Sequence, residues 1–138
     1  MQTKSESQTE SQTVRINGML LIGSMIATFT LLRLYLYFSP DTDLNVAGYN
    51  IHHLFSGLLL IAAGGIPLAV FHGSARNLKL PLIAFGIGLG MALDEWVYLI
   101  ATDGTNASYL LPVSFWGGVI VVALACLYAY GLTRLKAK

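Results

Sequence analysis

Polar and apolar residues are sharply segregated along this chain. Residues 1–13 (MQTKSESQTESQT) hold no large apolar side chain beyond Met1, and four long apolar runs follow at about 14–38, 51–72, 80–101 and 109–133. Each run reaches the roughly 20 residues needed to cross a hydrocarbon core of about 30 Å as a helix. Backbone groups in lipid must be satisfied within their own segment, so helix is the structure these lengths predict. Between the runs lie turn signals: Ser39-Pro40-Asp41, Gly73-Ser74, and Thr102-Asp103-Gly104-Thr105-Asn106. Connections this short place consecutive helices antiparallel. The predicted fold is therefore an all-α membrane protein, an up-down-up-down bundle of four transmembrane helices over residues 14–138. Residues 1–13 read as a disordered polar tail. A cleavable leader needs a basic start followed at once by a short apolar core, so the tail is expected to stay on the mature protein.

Composition agrees. Of 138 residues, 55% are hydrophobic and 11% charged, with a mean hydropathy of +0.65. Soluble domains carry about a quarter charged residues. The net charge of +1 and the lack of any long basic cluster argue against nucleic acid as a partner. The lone Cys126 lies in an apolar run and reads as a small buried hydrophobe.

Charge also sets orientation. Lys4, Arg15, Arg76, Lys79, Arg134, Lys136 and Lys138 fall in the tail, the second loop and the C-terminus, whereas the first and third loops carry only Asp41, Asp43 and Asp103. The positive-inside rule then puts both termini in the cytoplasm, as expected of a multi-pass protein of the inner (plasma) membrane. Asn106-Ala107-Ser108, on the outer side, forms a glycosylation sequon, a common tripeptide. Glycines crowd helices two to four, and Gly86 with Gly90 makes a small-xxx-small pair for close helix approach. Pro67 and Pro112 are expected inside helices two and four, as bends.

Five ionisable residues interrupt the apolar runs: Arg33, His52, His53, Asp94 and Glu95. Such side chains cost about 2.5–3.5 kcal/mol each in a bilayer, which makes them functional candidates. At about 1.5 Å per residue, Arg33 lies roughly 7 Å, and the carboxylates roughly 10 Å, below the outer ends of their helices. His52 and His53 open helix two on that same side. The topology thus gathers all five in the outer third of the bilayer, with Ser56 and Tyr98 one turn away. His53 and Asp94 share stripes with small residues and are expected to point inward.

Three chemistries suit such a set. His52, His53, Asp94 and Glu95 offer enough imidazole and carboxylate ligands for a transition metal such as zinc, iron or copper, although the Glu-x-x-His spacing of di-iron bundles is missing. Histidines beside buried carboxylates also suit a proton or ion path, with Asn17, Ser24, Thr28 and His72 the sparse candidates in the inner half. The third is a structural network in which Arg33 pairs with a carboxylate and no ligand binds. Two histidines on one helix cannot supply both axial ligands of one haem, and no nucleophile elbow is present. Most tyrosines and tryptophans lie where an interfacial belt would place them.

Residues 49–57 (Tyr-Asn-Ile-His-His-Leu-Phe-Ser-Gly) and 86–95 (Gly-Ile-Gly-Leu-Gly-Met-Ala-Leu-Asp-Glu) carry a resemblance. With Arg33 in the preceding helix, they resemble a family of small uncharacterised prokaryotic integral membrane proteins. That family has an Ile-His-His helix start and a Gly-rich helix ending in Leu-Asp-Glu. The resemblance covers helices one to three and implies that the polar set belongs together. It implies no activity. The site expected is a metal or small-ligand site formed by His52, His53, Asp94 and Glu95, with Arg33, Ser56 and Tyr98 around it. The expected setting is a homo-oligomer or an accessory subunit of a larger membrane complex.

Overall fold

The computed structural model describes residues 4–39, 45–46, 49–50, 52–71 and 78–137. The described chain is almost wholly helical. It comprises α1 (Lys4–Phe38), α2 (His53–Val70), α3 (Lys79–Ala101), a single turn α4 (Asn106–Tyr109) and α5 (Pro112–Lys136). A two-residue antiparallel ladder joins β1 (Asn45–Val46) to β2 (Tyr49–Asn50) before α2. The expectations attached to Pro40, Asp41, Asp43, Ile51, His72, Gly73, Ser74, Arg76 and Lys138 fall outside the described residues.

Four helices, α1, α2, α3 and α5, are long and apolar enough to cross a membrane. Their outward faces carry Leu31, Leu59, Leu80, Ile100 and Leu127, all more than 60% exposed. An apolar exterior on this scale requires lipid or another apolar partner.

Three boundaries differ from the sequence reading. Helix α1 begins at Lys4 and not at Val14, so most of the polar tail is helical. Its Glu and Gln residues are good helix formers that extend a helix already nucleated by the apolar span. Ser11 Oγ also donates to the carbonyl of Ala137, 2.9 Å away, which ties that turn to the end of α5. Pro112 does not bend a helix; it starts one, in the first turn of α5, where its missing N–H costs nothing. Tyr109 consequently belongs to the separate turn α4, not to the fourth apolar helix. Pro67 does lie inside α2.

Helix α3 is the hub, packing against α1, α2 and α5, and it is the most enclosed of the four. Glycine makes the approaches possible. A Cβ on Gly88 would lie 2.5 Å from the Gly57 carbonyl oxygen and 2.7 Å from the Ile61 nitrogen, so α2 and α3 meet backbone to backbone. Gly90 takes α1 in the same way, its Cβ position 2.9 Å from the Met25 carbonyl oxygen, while Gly86 faces Ser24. On the remaining side Gly117 of α5 seats Val97. This is the small-residue packing that lets helices associate where lipid removes the hydrophobic drive.

Candidate functional site

Arg33, 8% exposed, sits at the centre of one end of the bundle and uses its guanidinium fork in three directions. Nε donates to Asp94 Oδ1 of α3 at 2.5 Å. Nη1 donates to the Tyr109 carbonyl at 3.0 Å and to Ser114 Oγ at 3.2 Å. Nη2 donates to the Ser114 carbonyl at 3.1 Å and more weakly to the Asp94 carbonyl at 3.3 Å. The guanidinium carbon also lies 4.1 Å from the centre of the Tyr109 ring. Only an arginine supplies this many planar donors. Gly118 leaves it room, since a Cβ there would stand 3.2 Å from Nη2.

Asp94, fully buried, therefore has Oδ1 on Arg33. Its Oδ2 accepts from the Tyr109 hydroxyl and lies 3.2 Å from His53 Nε2. Burial, and after it the negative charge of Asp94, push the Tyr109 hydroxyl far above its ordinary range, so it stays a donor. Glu95, 1% exposed, has a different task. Its Oε2 accepts from the Leu54 amide at 2.5 Å, and its Oε1 lies 2.6 Å from His52 Nδ1. Leu54 is in the first turn of α2, whose N-cap residue His52 makes no side-chain cap. A carboxylate from α3 thus satisfies an orphan amide and complements the positive end of the α2 dipole. Toward an ionised carboxylate, His52 presents Nδ1–H as donor.

His53 stands between the two acids, with Nε2 3.2 Å from Asp94 and Nδ1 3.6 Å from Glu95 Oε2. Tyr98, 2% exposed, packs edge-on against Tyr109 with ring centres 5.2 Å apart and also lies against His52. Ser56 is half-buried and enters none of the hydrogen bonds of this cluster. The structure therefore joins Arg33, His52, His53, Asp94, Glu95 and Tyr98, and leaves Ser56 beside the network.

Tyr109 and Ser114 complete the cluster, and sequence reasoning gave neither a role. The signal for Tyr109 was Pro112, which marks a helix start and frees the preceding residues to fold back. Ser114 is fully buried in the first turn of α5, and a lone serine in an apolar run gives no sign of which way it faces.

The expected metal centre finds no support in this arrangement. Among the described residues, no group of three or more His, Cys, Asp and Glu side chains is disposed to hold a metal ion. The reason is visible atom by atom. Each carboxylate oxygen already faces a donor: Arg33, Tyr109 and His53 on Asp94, His52 and the Leu54 amide on Glu95. Nor does any fully buried side-chain nitrogen or oxygen among the described residues lack a hydrogen-bond partner.

No family model, no curated protein and no solved structure matches the chain, so the resemblance carried by residues 49–57 and 86–95 remains one of motifs. What fold and site define is a class: a chain whose described residues are almost wholly helical, with four apolar helices of membrane-crossing length and the exterior of a multi-pass membrane protein. Within that class, its particular mark is a buried Arg–Asp–His–Glu cluster closed by a tyrosine from a folded-back turn.

Proposed function

We propose that this protein is a multi-pass plasma-membrane protein whose buried cluster binds and relays protons at the outer face. One observation carries the reading. An unbroken series of contacts of 3.6 Å or less leads from His52, 26% exposed, through Glu95 and His53 to Asp94, which is fully buried. Two carboxylates and one guanidinium leave one net negative charge when both imidazoles are neutral. A single proton on the histidine pair therefore neutralises the site, a strong bias where charge is poorly solvated. Among the described residues the charged and titratable groups that face one another here are Arg33 from α1, His52 and His53 from α2, Asp94, Glu95 and Tyr98 from α3, and Tyr109 from α4.

In this reading the helices alternate up-down-up-down with both termini cytoplasmic, supported by the Lys and Arg distribution and by the register of α2 on α3. Gly57 meets Gly88 and Ala92, whereas Gly64 meets Pro81 and Phe85. The proton exchanges with the outer side only. Below the cluster the interior is lined by Met25, Leu89 and Leu93, and the Ser24 hydroxyl is spent on the Leu20 and Leu21 carbonyls. Exposed apolar faces on every long helix favour assembly, as a homo-oligomer or as a subunit of a larger membrane complex.

Histidine-resolved magnetic resonance of the protein in bilayers tests the relay. Imidazole protonation should change with pH and should respond to Asp94→Asn. Histidines indifferent to pH would overturn the proposal, as would a stoichiometric metal lost on His53→Ala.

A further inference from the structure

We propose that the bundle holds one acyl chain of an anionic phospholipid in a groove between α3 and α5 that runs from beneath the polar cluster to the C-terminal end of α5; this rests on the membrane reading above. α3 and α5 touch at Val97 and Gly117. Away from that contact a cavity of about 630 Å³ lies between them, with α1 as its back wall. That volume falls within the roughly 300–1,000 Å³ of small-molecule sites.

The lining is apolar, with Leu21, Met25, Phe85 and Leu89 among its walls. Asn17, Thr133 and Lys136 gather at one end, and Tyr128 lies about two turns of α5 further along. From Val14 to Met25 the back wall runs about 16 Å along α1, half the roughly 30 Å hydrocarbon core. An apolar slot one leaflet deep with a cation at its mouth matches a molecule with one anionic end and a long hydrocarbon tail. Lys136 is exposed there, in a terminal segment that also carries Arg134 and Lys138. Basic groups at this level attract anionic headgroups.

The test uses the full chain reconstituted in nanodiscs of phosphatidylcholine doped with phosphatidylglycerol, read by native mass spectrometry after release into detergent. One phosphatidylglycerol should remain bound in preference to phosphatidylcholine. Lys136→Ala should cut that preference about fivefold. Ala125→Trp, which fills the groove, should remove retention of either lipid. Lipid retention unaffected by Ala125→Trp would overturn the proposal. So would equal retention of the two lipids by wild type and Lys136→Ala, or a dimer that Ala125→Trp dissociates. Extraction from cell membranes by detergent but not by alkaline carbonate checks the membrane reading separately, whatever the lipid result.

Discussion

At the scale of single residues, the bundle depends on a cation that no one partner satisfies. Arg33 gives donors to α3, to the α4 turn and to α5, so removing it takes a partner from one acid and three carbonyls in a dry interior. We expect Arg33→Ala to lower stability by about 3–5 kcal/mol, with Asp94→Ala costing a similar amount. The double variant should cost clearly less than the two together, because each single change already strands the other's charge. Unfolding in mixed micelles measures this; strict additivity would show that the pair contributes little. The residues of this pair were legible in the sequence, since an ionisable side chain in an apolar run stands out and the topology sets its depth. Their partners were not. Nothing local to Tyr109 distinguishes it from the other interfacial aromatics, and its role depends on a chain reversal of which Pro112 is the only trace.

At the scale of elements, small residues set the distances between helices. Gly88 faces backbone atoms of Gly57 and Ile61, which cannot rotate away, whereas Gly23 on the exposed side of α1 has open space at its Cβ position. Gly88→Ala should therefore destabilise by about 1–3 kcal/mol by forcing α2 and α3 apart. Gly23→Ala should stabilise by about 0.5–1 kcal/mol through helix propensity alone. Equal effects in a thermal melt would contradict this account of the packing. Glycine content was plain from the sequence, but the partner of each glycine follows only from the helix rotations.

The third connection has its own lock. Asp103 Oδ1 accepts from the Thr105 amide at 3.2 Å and hydroxyl at 2.9 Å, and hydrogen bonding from Ser108 and Thr105 holds its carboxyl below the ordinary 3.8. A lowered carboxyl favours the folded turn only while ionised. That support is complete above pH 3.8 and fades as pH falls through the lower folded value. Amide exchange at Thr105 should accelerate only in that acid range, and in Asp103→Ala at neutral pH as well. A Thr105 amide insensitive to both would rule the turn out as the support of this loop.

At the scale of the whole molecule, the four spans were readable because length and hydropathy alone define them. The ends were not: the helix continues through 4–13 because propensity, not hydropathy, governs there. The proposed orientation has a direct check. A cysteine at Asp103 should react with an impermeant maleimide on intact cells, and one at Lys138 only after permeabilisation, both in a Cys126→Ala background. The opposite pattern would invert the site and place the His pair on the cytoplasmic side. The metal expectation shows where sequence stops. Residue types suited to ligation were present, but whether their lone pairs are free depends on donors from Leu54 and Tyr109 that no spacing rule announces.

The ion pair between Arg33 and Asp94 links residues 61 apart in the chain, and that separation has a consequence in time. During synthesis α1 enters the membrane before α3, with its guanidinium unmatched, at a cost of about 2.5–3.5 kcal/mol until α3 emerges. The first two helices are therefore held provisionally, and α3 is the step that commits the nascent protein. A pause or truncation before residue 94 leaves a segment that membrane quality control should recognise by its unpaired arginine.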